Sequence, residues 1–296
     1  MKSWPLIVTI LLLQVCISCV RRHSDQTTES ETSQLIQPAD WTIRQITEDI
    51  TLQQVQTELF DSKQSISVLI IRPEAGVRIG INDTANVLVT TSELCRQMNA
   101  VAGVNASFFD MTNGGAVDFV RVNGEVKHNA QEKHERSNAA LAISDREIKI
   151  LGRDSSDTHW EEHIEAEDVI IAGPLIMKDG IAANLRKNAF NNNRHPRTFV
   201  ATRTDGAILL VVVDGRNAHA AGMSLNELFL LARSLNCKDV MNLDGGGSST
   251  MYVRGEGDNG IVNYPSDNKQ FDHYGERPVA NVIYIADVPT EIAATP

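Results

Sequence analysis

From Trp41 to about Asp83 apolar side chains return at strand-like intervals, as in Ser67-Val68-Leu69-Ile70-Ile71-Arg72 and Gly76-Val77-Arg78-Ile79-Gly80-Ile81. The pattern then turns helical. Thr90 with Glu93 three positions later forms a capping box ahead of Leu94, Cys95 and Met98. A short buried strand, Val101-Ala102-Gly103-Val104, follows and runs into Asn105-Ala106-Ser107-Phe108-Phe109. Turn residues between strand-like runs predict hairpins around Asn123-Gly124, Asp145-Arg146, Lys178-Asp179-Gly180 and Asp205-Gly206. The unbroken apolar run Ala207 to Val213 reads as a central strand that delivers Asp214-Gly215-Arg216 at its end. Ser224 and Glu227 make a second capping box, opening a helix from Leu225 to Leu235 with Leu228, Leu231 and Leu235 on one face. Val240-Met241-Asn242-Leu243 then leads into Asp244-Gly245-Gly246-Gly247-Ser248-Ser249-Thr250, and Arg277 to Ile285 supplies a closing strand. The order helix, strand, Asn, polar turn over 90–113 recurs over 224–250 as an internal pseudo-repeat. These elements predict the α+β class: one domain with a mixed, largely antiparallel sheet core and packed helices.

The first forty residues follow a different rule. Leu6 to Val15 is apolar apart from Thr9 and Gln14, sits behind Lys2, and ends in small residues, the layout of a secretory signal. Cys16-Ile17-Ser18-Cys19 resembles a bacterial lipobox with Cys16 at the usual leucine, which makes Cys19 the candidate lipidation site. The expected organisation is a signal over 1–18, a Ser/Thr/Glu/Gln-rich tether over 19–39, a catalytic body over 40–288 and a tail over 289–296. Such a protein is exported and lipid-anchored in a bacterial cell envelope, facing the periplasm or the surface.

Composition narrows the partners. With 38 acidic against 27 basic residues the net charge is −11, so nucleic acid is excluded as the main partner and any anion must be met locally. Of four cysteines, Cys95 and Cys237 lie in the body, each on an apolar helical pattern, and are read as unpaired core thiols. The eight histidines show no HExxH pair and the cysteines no zinc spacing, so neither metal nor other cofactor is expected.

Three consecutive glycines pack nothing and cost chain entropy, so something must approach the backbone at Gly245, Gly246 and Gly247. Main-chain N–H groups there could form an anion-binding nest, with Ser248, Ser249 and Thr250 adding hydroxyl donors. Arginines suit phosphate because the planar guanidinium makes two charge-assisted bonds at once, and Arg197, Arg216 and Arg277 all stand at strand edges. Asp214 and Asp244 end apolar strands next to glycine and are the candidate acid, base or nucleophile; turn capping is the other reading of each. His195 adjoins the Arg197 segment, and Phe108 or Phe109 could offer a ring to a sugar.

At these residues the chain resembles the phosphodiester glycosidase family. The resemblance rests on Gly103-Val104-Asn105-Ala106-Ser107-Phe108-Phe109, His195-Pro196-Arg197-Thr198, Val213-Asp214-Gly215-Arg216, Asn242 to Ser249 and Glu276-Arg277-Pro278-Val279. Where the family often reads G-x-N-G-G-F-F, this chain has Asn105-Ala106-Ser107-Phe108-Phe109. The resemblance implies hydrolysis between a sugar's anomeric carbon and a phosphodiester oxygen, on a sugar phosphodiester or a glycan such as an exopolysaccharide. Asp214, Asp244, Arg197 and Arg277 would then be catalytic. Substrate would be held by Asn105, Phe108, Phe109, His195, Thr198, Arg216, Asn242, Gly245, Gly246, Gly247, Ser248 and Ser249. Two other classes stay open: a non-catalytic carbohydrate or cell-wall binding lipoprotein, and an enzyme attacking phosphorus.

Overall fold

Ile208–Val213 is buried along its whole length and has an antiparallel neighbour on each edge, Arg197–Arg203 on one side and Lys63–Ile71 on the other. They are the middle of an eight-stranded sheet ordered Thr42–Gln45, Ile50–Glu58, Lys63–Ile71, Ile208–Val213, Arg197–Arg203, Cys237–Asn242, Leu175–Lys178, Ile181–Ala182. The structure is a computed structural model and describes residues 40–72, 76–129, 135–144 and 147–288. The signal, lipobox and tether expectations, and the tail, lie outside the described residues.

Two further sheets complete the core. One has five strands, with Ala139–Ser144 and Asp168–Ala172 inside; the other has four, ordered Met251–Val253, Ala102–Asn105, Asn281–Asp287, Val77–Asp83. A single apolar cluster joins Leu69, Leu210 and Met241 of the first sheet to Leu141 and Ile170 of the second and Val104 and Ile283 of the third.

The α+β expectation is overturned. Strands make up 43% of the structure and helices 10%, in three short pieces among the described residues: Thr91–Gln97, Ala189–Asn192 and Leu225–Ser234. The helical periods are real but seven to ten residues long at most, too short to cover a sheet face, and the faces are closed by other sheets instead. The two strands of the pseudo-repeat, Ala102–Asn105 and Cys237–Asn242, also join different sheets.

Local chemistry explains the helix starts. Ser224 and Glu227 make the reciprocal capping box. Thr90, paired with Pro278 in a two-stranded ladder, makes no side-chain cap; the Ser92 N–H donates to the Glu276 carboxylate at 3.1 Å. Cys95 and Cys237 are free and buried, and burial pushes the Cys237 thiol up to about 12.

Candidate active site

Antiparallel register places the candidate residues at one end of the large sheet. Arg197, opening its strand, lies opposite Val213, and Phe199 lies opposite Asn242. Asp214 and Asp244 therefore follow the two strands that flank the Arg197 strand, at the end where Arg197 enters. The four-stranded sheet reaches the same place through Asn105. Its carbonyl oxygen accepts from Thr198 Oγ1 (2.8 Å) and Thr250 N (3.1 Å), and its amide donates to Asp244 O (2.7 Å). Asn105 and Thr198 are thus a clasp between sheets, with no exposed surface. Asn242 is equally internal, donating to the carbonyls of Gly173 and Leu243.

Each glycine of the turn answers to a different segment. A Cβ on Gly245 would lie 2.7 Å from Pro196 O. One on Gly246, at φ 66°, would lie 2.9 Å from Arg216 Nη2. One on Gly247 would lie 2.5 Å from both Arg277 Nη2 and Asp267 Oδ1. A side chain at Gly245 would meet backbone, one at Gly246 would need a strained left-handed backbone, and one at Gly247 would have to displace the ends of Arg277 and Asp267. Four of the turn's main-chain N–H groups are already used. Gly245 N donates to Asp244 Oδ1, Gly246 N to Pro196 O, and the N–H groups of Ser248 and Ser249 to Gly245 O and Gly246 O. Hydroxyls remain: those of Ser248, Ser249 and Thr250 are buried without a hydrogen-bond partner among the described residues, polar capacity that a buried group rarely leaves unused.

The cations differ in how they are held. Arg197 is 1% exposed and donates to the carbonyls of Met223 (2.9 Å), Phe190 (2.6 Å) and Asn193 (3.1 Å). Burial, then the neighbouring Arg216, push it down to about 10, so it stays charged at neutral pH without an ion pair among the described residues. Arg216 is exposed, has a left-handed backbone (φ 60°), and forms no salt bridge among the described residues. Arg277 is bound by Asp267. His195 lies half-buried beside Arg197 and Arg216, and its pKa is lowered by burial first and those two charges next, which keeps the ring neutral at pH 7.

The two carboxylates are in unlike settings. Asp214 is 1% exposed and accepts from Ser65 Oγ (2.7 Å), Asn263 Nδ2 (2.8 Å) and Tyr264 N (2.9 Å). Burial raises its pKa against the pull of those bonds. Asp244 keeps part of its surface open and has one clear donor among the described residues, Gly245 N at 3.0 Å. The Ser248 hydroxyl is close enough to favour its charged form but lacks hydrogen-bond alignment. Burial raises Asp244 to about 6, opposed by Ser248, Gly245, Arg277 and Arg136 in that order.

Arg136, absent from the sequence-derived set, also lies 4.4 Å from the Phe108 ring, which meets Phe190 edge-on at 6.1 Å. Phe108 therefore borders the site. Phe109 does not: it packs against the separate apolar cluster of Leu94, Cys95 and Tyr284. Asn263 and Asp267, also missed, lie in a polar loop with no periodic signal.

Residues 98–286, more than half of the chain, match the profile of a family described as phosphodiester glycosidase. The SPbeta prophage-derived uncharacterized protein YomE of Bacillus subtilis (strain 168) is 26% identical over 176 residues, 58% of this chain. The chain spans only 27% of that protein's length. Among solved structures, the catalytic domain of zebrafish N-acetylglucosamine-1-phosphodiester alpha-N-acetylglucosaminidase, auto-inhibited by its pro-peptide, aligns with TM-score 0.64 and 18% identity, covering 84% of each chain. A hypothetical protein from Synechocystis aligns with TM-score 0.62 and 15% identity, covering 83% of this chain and 63% of that one. At these identities the structural likeness speaks to the fold alone.

Proposed function

The chain belongs to the phosphodiester glycosidase family, and from that premise we propose that it hydrolyses the bond between a sugar's anomeric carbon and a phosphodiester oxygen. The reading is carried by one arrangement: Arg216 and Arg277 over adjacent glycines, next to a partly open carboxylate raised to about 6. Water adds to the anomeric carbon, giving up one proton to solvent, and the carbon–oxygen bond breaks. Its electron pair leaves on the phosphate, giving a free sugar and a phosphomonoester. Charge builds in two places in that transition state, negative on the departing phosphate and positive on the ring. Arg216 and Arg277 meet the first and ionised Asp244 the second, while buried Arg197 adds positive potential beneath them. Asn105, Thr198, Asn242 and Asp214 hold the strands that present these groups.

The test is hydrolysis of sugar-1-phosphodiesters by the purified protein in ¹⁸O-labelled water. The expected result is free sugar and phosphomonoester in equal amounts, with the label in the sugar. Label in the phosphate would mean attack at phosphorus, and binding without release would mean a carbohydrate-binding protein.

A further inference from the structure

We propose that Asp267 sets the charge selectivity of the anion site, favouring a singly charged phosphodiester over a doubly charged phosphomonoester. The inference rests on the phosphate clamp proposed above and assigns it a negative member. Arg277 Nε donates to Asp267 Oδ1 at 2.9 Å, and Nη2 donates to the same oxygen. That oxygen and Arg277 Nη2 are each 2.5 Å from where a Gly247 Cβ would be, so guanidinium and carboxylate sit over the same glycine. An anion seated on Arg277 there has a fixed negative charge beside it.

Asp267 is not a loose surface carboxylate. Its N–H donates to Gly275 O at 3.2 Å, closing the loop that carries it. The loop's start is tied to Asp214 through Asn263 and Tyr264. The Tyr264 ring stacks on Phe271 at 3.9 Å and on His273 at 4.5 Å, and His273 Nδ1 is 2.6 Å from Asn263 O. Rings stacked on one another have little face left for a ligand, so this array acts as a strut for the loop. The Asp267 side chain is 37% exposed and that of Arg277 24%, which leaves the pair open to a ligand.

Coulomb repulsion scales with the ligand's charge, so one fixed carboxylate penalises a dianion twice as much as a monoanion at equal distance. The substrate of the proposed reaction is the monoanion and its phosphomonoester product the dianion. Asp267 therefore weakens product binding relative to substrate binding, at the cost of part of the attraction Arg277 exerts on both.

The experiment is calorimetric binding of dimethyl phosphate, a monoanion, and methyl phosphate, a dianion at pH 8, to the full chain and its Asp267→Asn variant. Asp267→Asn is expected to strengthen methyl phosphate binding about tenfold relative to dimethyl phosphate, by an amount that shrinks with added salt. Asp267→Ser must move the ratio the same way, and Asp267→Glu must leave it near wild type. An unchanged ratio overturns the inference, and so does a parallel loss of both ligands, which would make Asp267 only a positioning partner of Arg277. Arg216→Ala separates the two claims. If wild type binds neither ester, or Arg216→Ala binds both as well as wild type, the clamp itself fails. If the clamp holds and the ratio does not move, the selectivity inference fails alone.

Discussion

Asp214 and Asp244 occupy the same kind of position, the end of a buried strand just before a glycine, yet they do different things. Asp214 has three donors from two segments and almost no exposed surface. Asp244 has one clear donor among the described residues, an open edge and arginines on its flank. A buried carboxylate whose lone pairs are filled is a joint, because any change in its charge or position strands its donors. One with unfilled capacity, burial enough to raise its pKa and nearby cations can act on something else.

Exchanging each aspartate for asparagine is the sharpest way to break that contrast. Asp244→Asn keeps the shape and removes the charge, so kcat should fall by about 100- to 1,000-fold with substrate affinity nearly intact. If kcat is unchanged, Asp244 is a cap of the glycine turn and the contrast is gone.

The reciprocal change acts on stability. Asp214→Asn keeps one oxygen for Asn263 and Tyr264, turns the bond to Ser65 round and removes the charge that strengthens all three, so unfolding in denaturant should show a loss of about 1–3 kcal/mol. A variant as stable as wild type would mean the three hydrogen bonds carry little.

The smallest effect is in pH. Folding raises Asp244 from 3.8 to about 6, so the folded chain holds that proton more tightly than the unfolded one. Its ionisation then costs stability as pH rises through this window, and the cost remains above it. Asp244→Asn lacks this cost, so its melting temperature should gain on wild type between about pH 4 and pH 6 and keep the gain above. In wild type kcat should fall below about pH 6, as the carboxylate is protonated. A melting difference that is flat with pH would place Asp244 in water.

Much of this site was legible before any coordinates. The strand periods around Ile208–Val213 and the turn at Asn123-Gly124, observed with positive φ at both residues, follow from local rules. The glycine run pointed to close approach, and arginines from two distant segments make that approach. Other features had no local signature. Asp214 and Asp244 look alike in sequence because what separates them is donors from Ser65 and Asn263, far away along the chain. Arg136 and Asp267 sit in polar stretches where nothing marks one charge from the next. The fold class is not legible in the sequence because a helical period gives a helix's position but not whether it is long enough to cover a sheet.

The strand Asn281–Asp287 lies between Val77–Asp83 and Ala102–Asn105, with Ile283 opposite Ile81 and Val104. An interior strand is thus supplied about 200 residues after one of its partners. During synthesis both partners wait with open edges, and Asn105 cannot be fixed opposite Val282 until the last described strand arrives. A chain interrupted before that point leaves two unpaired β-edges, which are templates for association with other chains. Quality control in the producing cell would therefore meet truncated forms as aggregates, not as inactive monomers.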